Sequence, residues 1–291
     1  MKVLVTGAAG QLGTDVVSLF QEAGHTVFAC DRNNLDITDQ YACFMALNEL
    51  KPNAVIHCAA YTAVDQAEQE VDSAFAVNAD GTRNLVIASE RIGAKFCYIS
   101  TDYVFDGLSK EPYHEYDNTN PQSIYGKSKR AGEILVQSLS SAYFIVRTSW
   151  VYGLHGNNFV KTMLRLGAEK PEIKVVNDQM GSPTYTVDLA NFLLELVQTE
   201  KYGIYHASNT GTCTWYEFAK AIFTDAESMT GKSYPAKVYP CTTEEYPLPA
   251  SRPQNSVMEH LAIRTNGLTD LRPWRGGLRD FLKVHLISEQ E

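Results

Sequence analysis

Patterns that mark metal sites, secretion and polyanion binding are missing from this sequence. Its six cysteines (Cys30, Cys43, Cys58, Cys97, Cys213 and Cys241) form no C-x-x-C pair, and its seven histidines show no H-E-x-x-H or comparable ligand spacing. They read as reduced, mostly packed thiols, and no metal ligand is assigned from the residues. No apolar run approaches the roughly 20 residues that a spanning helix needs. The Met-Lys start is followed by only Val3, Leu4 and Val5 before Thr6 and Gly7, too short for a signal peptide. An excess of basic charge is lacking too: the net charge is -9, spread without long runs of one sign. That gives no footprint for nucleic acid or an anionic membrane surface. There is no internal repeat or low-complexity tract. The expectation is an acidic cytoplasmic protein that engages neither nucleic acid nor membrane.

With 44% apolar residues in 291, the chain can bury a substantial core. Apolar runs, "KVLVTG" (2–7), "TVFACD" (26–31), "AVIHCAA" (54–60), "KFCYIST" (95–101), "YFIVRTS" (143–149) and "GIYHAS" (203–208), alternate with helical segments near 11–23, 39–50, 71–91, 123–139 and 186–198. Strands without polar alternation belong to a parallel sheet covered on both faces, and the β-α-β order predicts an α/β doubly wound sheet of Rossmann type. After about residue 150, Pro, Gly and Tyr become frequent, as in "VVNDQMGSPTY" (175–185). This predicts a dinucleotide-binding domain over 1–150, with 186–208 returning to it, and a smaller, loop-rich substrate domain over 151–291.

"GAAGQLG" (7–13) stands between the first strand and the first helix. Gly7 suits the tight turn, Gly10 the approach of a phosphate to backbone N–H groups, and Gly13 close helix–strand packing. Asp31 ends the second strand, where a carboxylate accepts hydrogen bonds from an adenosine ribose and favours NAD. Arg32 follows it and suits a 2′-phosphate, which favours NADP. The choice stays open at this point. In "IYGKSKR" (124–130), Tyr125 and Lys129 lie four residues apart, on one face of a helix, and Lys127 points elsewhere.

Several motifs in order, "GAAGQLG", "LDITD" (35–39), "CAAYTAVDQAE" (58–68), "VNADGTRNL" (77–85), "STDYVFDG" (100–107), "YGKSK" (125–129), "VRTSWVYG" (146–153) and "RPQNSVM" (252–258), resemble the extended short-chain dehydrogenase/reductase superfamily over nearly the whole chain. Cys58 departs from the Asn that many relatives carry there. The resemblance implies reduction by NADPH, or NADH, of the C4 ketone of dTDP-4-dehydro-L-rhamnose to dTDP-L-rhamnose, with Tyr125 as proton donor. Lys129 would lower the phenol's pKa and hold the nicotinamide ribose, and Thr101 would hydrogen-bond the substrate carbonyl.

The resemblance further implies that Gln11 and Leu12 belong to the cofactor loop and that Asp36 and Ile37 flank the adenine. Ala60, Tyr61 and Thr62 would line the cofactor. Asp102, Tyr103 and Trp150 would touch the sugar nucleotide, and Arg252 its diphosphate. Mg2+ is possible by resemblance only, with Asp15 and Asp188 read as surface carboxylates; a homodimer is possible, and oligomeric state is unreadable. A sugar-nucleotide 4,6-dehydratase or epimerase shares the fold, but a dehydratase would carry Glu directly after Asp102, where Tyr103 stands, so elimination would lack a proton carrier. A non-catalytic subunit with this likeness is the other rival, and the retained Thr101, Tyr125 and Lys129 argue against it.

Overall fold

The computed structural model describes residues 1–288; the last three positions of the expected 151–291 region, 289–291, lie outside the described residues. Five parallel strands, β1 (Lys2–Thr6), β2 (Thr26–Cys30), β3 (Ala54–His57), β4 (Lys95–Thr101) and β5 (Tyr143–Thr148), are joined by a sixth, Gly203–His206, at the β5 edge. The order from that edge is sixth, β5, β4, β3, β1, β2. Chain direction across the sheet reverses between β1 and β3, which opens a crevice at the carboxyl ends of these strands. The register pairs Thr6 with Cys30 and His57, and Thr101 with Thr148, so all these carboxyl ends meet at one edge.

Burial explains the apolar strands. One cluster, with Val3, Val5, Ile56, Phe144 and Val146, packs under helices Gln11–Glu22 and Thr186–Val197. The opposite face, with Leu4, Val55, Phe96, Tyr98 and Ile145, is covered by helices Gln40–Leu50, Thr82–Arg91 and Ile124–Leu139. Leu12, Val16 and Phe20 recur every four residues, and all three are buried. The expected single helix over 71–91 is instead Val71–Phe75, a π-helical turn Ala76–Gly81, and Thr82–Arg91. The widened turn carries the buried Asn78, whose side chain is needed elsewhere.

Beyond residue 150, Leu189, Tyr205, Ile263 and Leu271 join the first cluster. A separate, aromatic-rich core also lies there: Tyr152, Phe159, Trp215, Phe218 and Phe281 pack among helices Phe159–Glu169, Trp215–Thr230 and Trp274–Ser288. Three two-stranded pairings brace it: Val151–Tyr152 with Thr184–Tyr185, Met180–Gly181 with Cys213–Thr214, and Glu172–Val176 with Lys237–Cys241. Among the described residues no helix is long and apolar enough to cross a membrane.

Candidate active site

The Gly-rich turn is shaped by what its glycines lack. Gly7 has φ +64, and a Cβ there would lie 2.6 Å from the Ala59 nitrogen. A Cβ on Gly13 would lie 2.1 Å from the Gly7 carbonyl oxygen, so helix and turn meet at backbone distance. Gly10 caps helix Gln11–Glu22 without a side-chain hydrogen bond, which leaves first-turn N–H groups for an anion. The turn therefore fits a dinucleotide pyrophosphate. Gln11 and Leu12 can contribute backbone only: Leu12 is in the core, and the Gln11 amide donates to the Val151 carbonyl (3.0 Å) and accepts from Asn158 (2.9 Å).

At the adenine end the Asp31 carboxylate accepts from the Asn33 and Asn34 amides (2.8 and 3.3 Å) through one oxygen, Oδ1, leaving Oδ2 for a ribose. Arg32 is exposed beside it. Asp36 accepts from the backbone and hydroxyl of Thr38, which lower its pKa, while Ile37 is buried against Gly81. Ala60 and Tyr61 are half-buried and Thr62 is exposed on the loop after β3. Asn78 clamps that loop. It accepts from the Tyr61 amide (2.8 Å) and donates to the Tyr61 carbonyl (3.1 Å) and to the Ser128 hydroxyl (2.9 Å). Ser128 in turn donates to the Tyr125 carbonyl at 2.8 Å, tying the cofactor loop to helix Ile124–Leu139.

That helix starts at Ser123, whose hydroxyl accepts from the Gly126 amide at 3.1 Å. Gly126 has no Cβ because one would lie 2.2 Å from the Tyr103 carbonyl. The helix thus seats on the Thr101–Tyr103 turn, with the Tyr103 and Tyr125 rings edge to face at 5.5 Å. Burial pushes the Tyr125 phenol above its usual pKa; the Thr101 hydroxyl beside it opposes the rise, and Asp102 and Tyr103 add to it. Lys129, only 2% exposed, donates to the Ile99 carbonyl at 2.7 Å, and burial lowers its pKa to about 7. Burial is the largest influence on both groups and acts in opposite directions, raising the phenol and lowering the ammonium. Tyr125 is held as the neutral acid.

Asp102 is buried, with Oδ1 accepting from Thr101 (3.0 Å) and Oδ2 without a partner. Burial raises its pKa to about 6, opposed by the hydrogen bond from Thr101 and by the nearby Ser256 hydroxyl. Trp150 follows β5 with φ +48, a strained value for a bulky residue. Its ring stacks on Trp215 at 3.6 Å, and Gly181 leaves it room. Arg252 is not a free cation: it donates to Asp65 (2.6 Å) and to the Tyr103 hydroxyl (2.8 Å).

Asp15 and Asp188 are half-buried rather than surface carboxylates. Asp188 is already paired with Arg272 at 3.0 Å and accepts from Asn209, while Asp15 faces His155 at 3.9 Å. Among the described residues no group of three or more His, Cys, Asp or Glu side chains is placed to hold a metal. The residues present do not fit Mg2+.

Sequence reasoning missed Asn78, although it lies within "VNADGTRNL", and the Glu133–Arg147 pair below Lys129. Glu133 accepts from Ser100 at 2.6 Å and from Arg147 at 2.8 and 2.9 Å. The available signal was Glu133 itself, four residues beyond Lys129 on the same helix face.

A doubly wound sheet, an open Gly-rich turn at its switch point, and Thr101, Tyr125 and Lys129 at the same edge define an oxidoreductase of the extended short-chain dehydrogenase/reductase class. The family described as RmlD substrate binding domain matches residues 1–287. The chain belongs to that family. It is 45% identical over 282 residues to the spore coat polysaccharide biosynthesis protein SpsK of Bacillus subtilis (strain 168), covering 97% of each chain. It is 42% identical over 286 residues to a dTDP-4-dehydrorhamnose reductase of Aggregatibacter actinomycetemcomitans, covering 96% of this chain and 97% of that one. The crystal structure of dTDP-4-dehydrorhamnose reductase from Bacillus anthracis str. Ames in complex with NADP superposes with a TM-score of 0.93 at 48% identity, covering 97% of this chain and 99% of that one.

Proposed function

We propose that this protein is an NADPH-dependent oxidoreductase that reduces the C4 ketone of dTDP-4-dehydro-L-rhamnose to dTDP-L-rhamnose, in the cytoplasm, for cell-surface polysaccharide. The observation that carries it is the meeting of Thr101, Tyr125 and Lys129 with an open phosphate turn at one sheet edge, in a chain this similar to reductases of that name.

The bound nicotinamide supplies the hydride. Gly7, Gly10 and Gly13 admit its diphosphate, Arg32 suits a 2′-phosphate better than Asp31 does, and Asp36, Ile37, Ala60, Tyr61 and Thr62 line its path. Thr101, by turning its one hydroxyl proton from Asp102 to the ketone oxygen, holds that oxygen against Tyr125. As charge develops on that oxygen, the neutral phenol gives up its proton, which is favourable because an alkoxide is far more basic than a phenolate. Lys129 donates to the nicotinamide ribose and stands behind the phenolate until solvent reprotonates it. Asp102, with one unpartnered oxygen, accepts from a sugar hydroxyl, and Trp150 covers the sugar.

On this reading residues 1–150, with 186–208, bind the dinucleotide, and 151–291 bind the sugar nucleotide. Arg252 could reach a diphosphate only by leaving Asp65. Cofactor oxidation by the purified protein, with dTDP-4-dehydro-L-rhamnose and NADPH or NADH in parallel, tests the reading. Absence of turnover with either cofactor would refute it.

A further inference from the structure

Lys129 is buried with little anionic company. Its ammonium has three donors, and one is used by the Ile99 carbonyl at 2.7 Å. The charge lies 4.0 Å from the centroid of the Tyr98 ring, on β4. Tyr98 is itself fully buried and keyed into the helix that carries Lys129. Its hydroxyl lies within hydrogen-bond distance of the carbonyls of Lys129 (3.2 Å) and Asn78 (3.3 Å). Gly132 makes room for it, since a Cβ there would lie 2.3 Å from the Tyr98 oxygen.

The other groups facing Lys129 offer it no free negative charge. From β3 and the loop after it come His57, which burial keeps neutral with a pKa lowered to about 3, and the Cys58 thiol, pushed up to about 12. From its own helix comes Glu133. Glu133 favours the ammonium, yet its two oxygens already serve Arg147 and Ser100, with Arg130 at 3.3 Å. The face of an aromatic ring attracts a cation most strongly where water is excluded, as here.

We propose that Tyr98 is a positioning residue for the reaction, its ring face keeping the Lys129 ammonium charged and its hydroxyl fixing the helix turn that aims it. With one donor on Ile99 and one toward the ring, a third is left for the cofactor ribose. The inference rests on the reading of Lys129 as the group that meets the cofactor, and it adds a residue that touches neither cofactor nor substrate.

The test compares the parent, Tyr98→Phe, and the Tyr98→Phe ring in pentafluorinated form, introduced as an unnatural amino acid. Fluorination reverses the ring's field with little change of shape. The Lys129 titration midpoint is read in the ligand-free protein from its side-chain carbon resonance by NMR, and NADPH affinity is read by fluorescence from pH 6 to 9. Tyr98→Phe should titrate close to the parent. The fluorinated ring should lower the midpoint by about one unit and weaken NADPH binding about tenfold above it, with little change at pH 6. Equal midpoints for the two rings would overturn the proposal, because packing alone does not distinguish them. A parent that binds or oxidises no NADPH would refute the proposed function instead, while the NMR midpoints would still decide the role of Tyr98.

Discussion

The two halves of the site are made of different materials. The cofactor turn is built from backbone and missing Cβ atoms, with Gly7, Gly10 and Gly13 letting main chains approach and Gln11 and Leu12 turned to structural tasks. The catalytic side is built from buried side chains, Asp102, Tyr125 and Lys129, each displaced from its ordinary ionisation by burial. A phosphate needs several fixed N–H groups, which backbone supplies at no cost in side-chain entropy. Proton transfer needs tuned groups, which only desolvated side chains provide. Changes on the two sides should therefore fail differently.

The largest effect is expected on the catalytic side. Tyr125→Phe removes the proton donor and leaves the ring packed against Tyr103, so turnover should fall by roughly 10² to 10⁴ with NADPH affinity unchanged. Stopped-flow turnover beside equilibrium cofactor titration checks this, and near-normal turnover would remove Tyr125 from its role.

Gly13→Ala attacks the other half by geometry alone. The new methyl meets the Gly7 carbonyl, so the turn must open; we expect a stability loss of about 1–3 kcal/mol and a clear drop in NADPH affinity. Denaturant melts and cofactor titration would show both. Undiminished affinity would mean that the turn is not the phosphate site.

Asp102→Asn should separate function from stability. The folded-state pKa of about 6 lies above the ordinary 3.8, so the folded protein holds a proton that the unfolded chain releases between these values. Its penalty is absent below about pH 4, grows through that window and is full above about pH 6. The variant should therefore be more stable than the parent above pH 6, by roughly 3 kcal/mol, with no gain at pH 4, while its KM for the nucleotide sugar rises. Thermal melts across pH 4–8 check the sign; a gain confined to low pH would contradict it.

The smallest effects belong to cofactor choice. Asp31→Ala should weaken NADH more than NADPH, and Arg32→Ala the reverse, each only a few-fold because both sit near solvent. Equal small changes in both titrations would place the preference elsewhere.

The β-α order, the Gly-rich turn and the Tyr125–Lys129 pair were legible because each follows from local pattern: apolar strands, glycines between strand and helix, and a four-residue helical repeat. The π-turn at Ala76–Gly81 was not, since only its Asn78 contacts with residues 61 and 128 reward the distortion. Arg252 read as free because Asp65 stands 187 positions away. Trp150 was assigned to the sugar, but its strained backbone and its stack on Trp215 exist only in the folded chain.

By itself the sequence determined a doubly wound sheet, a phosphate turn and the residue types of a carbonyl reductase, because periodicity and glycine placement act over a few neighbouring residues. Tertiary structure decided the charge states and the partners. Whether Tyr125 is an acid, Lys129 is charged or Arg252 is available depends on burial and on groups from distant segments, and neither can be counted until the chain has packed.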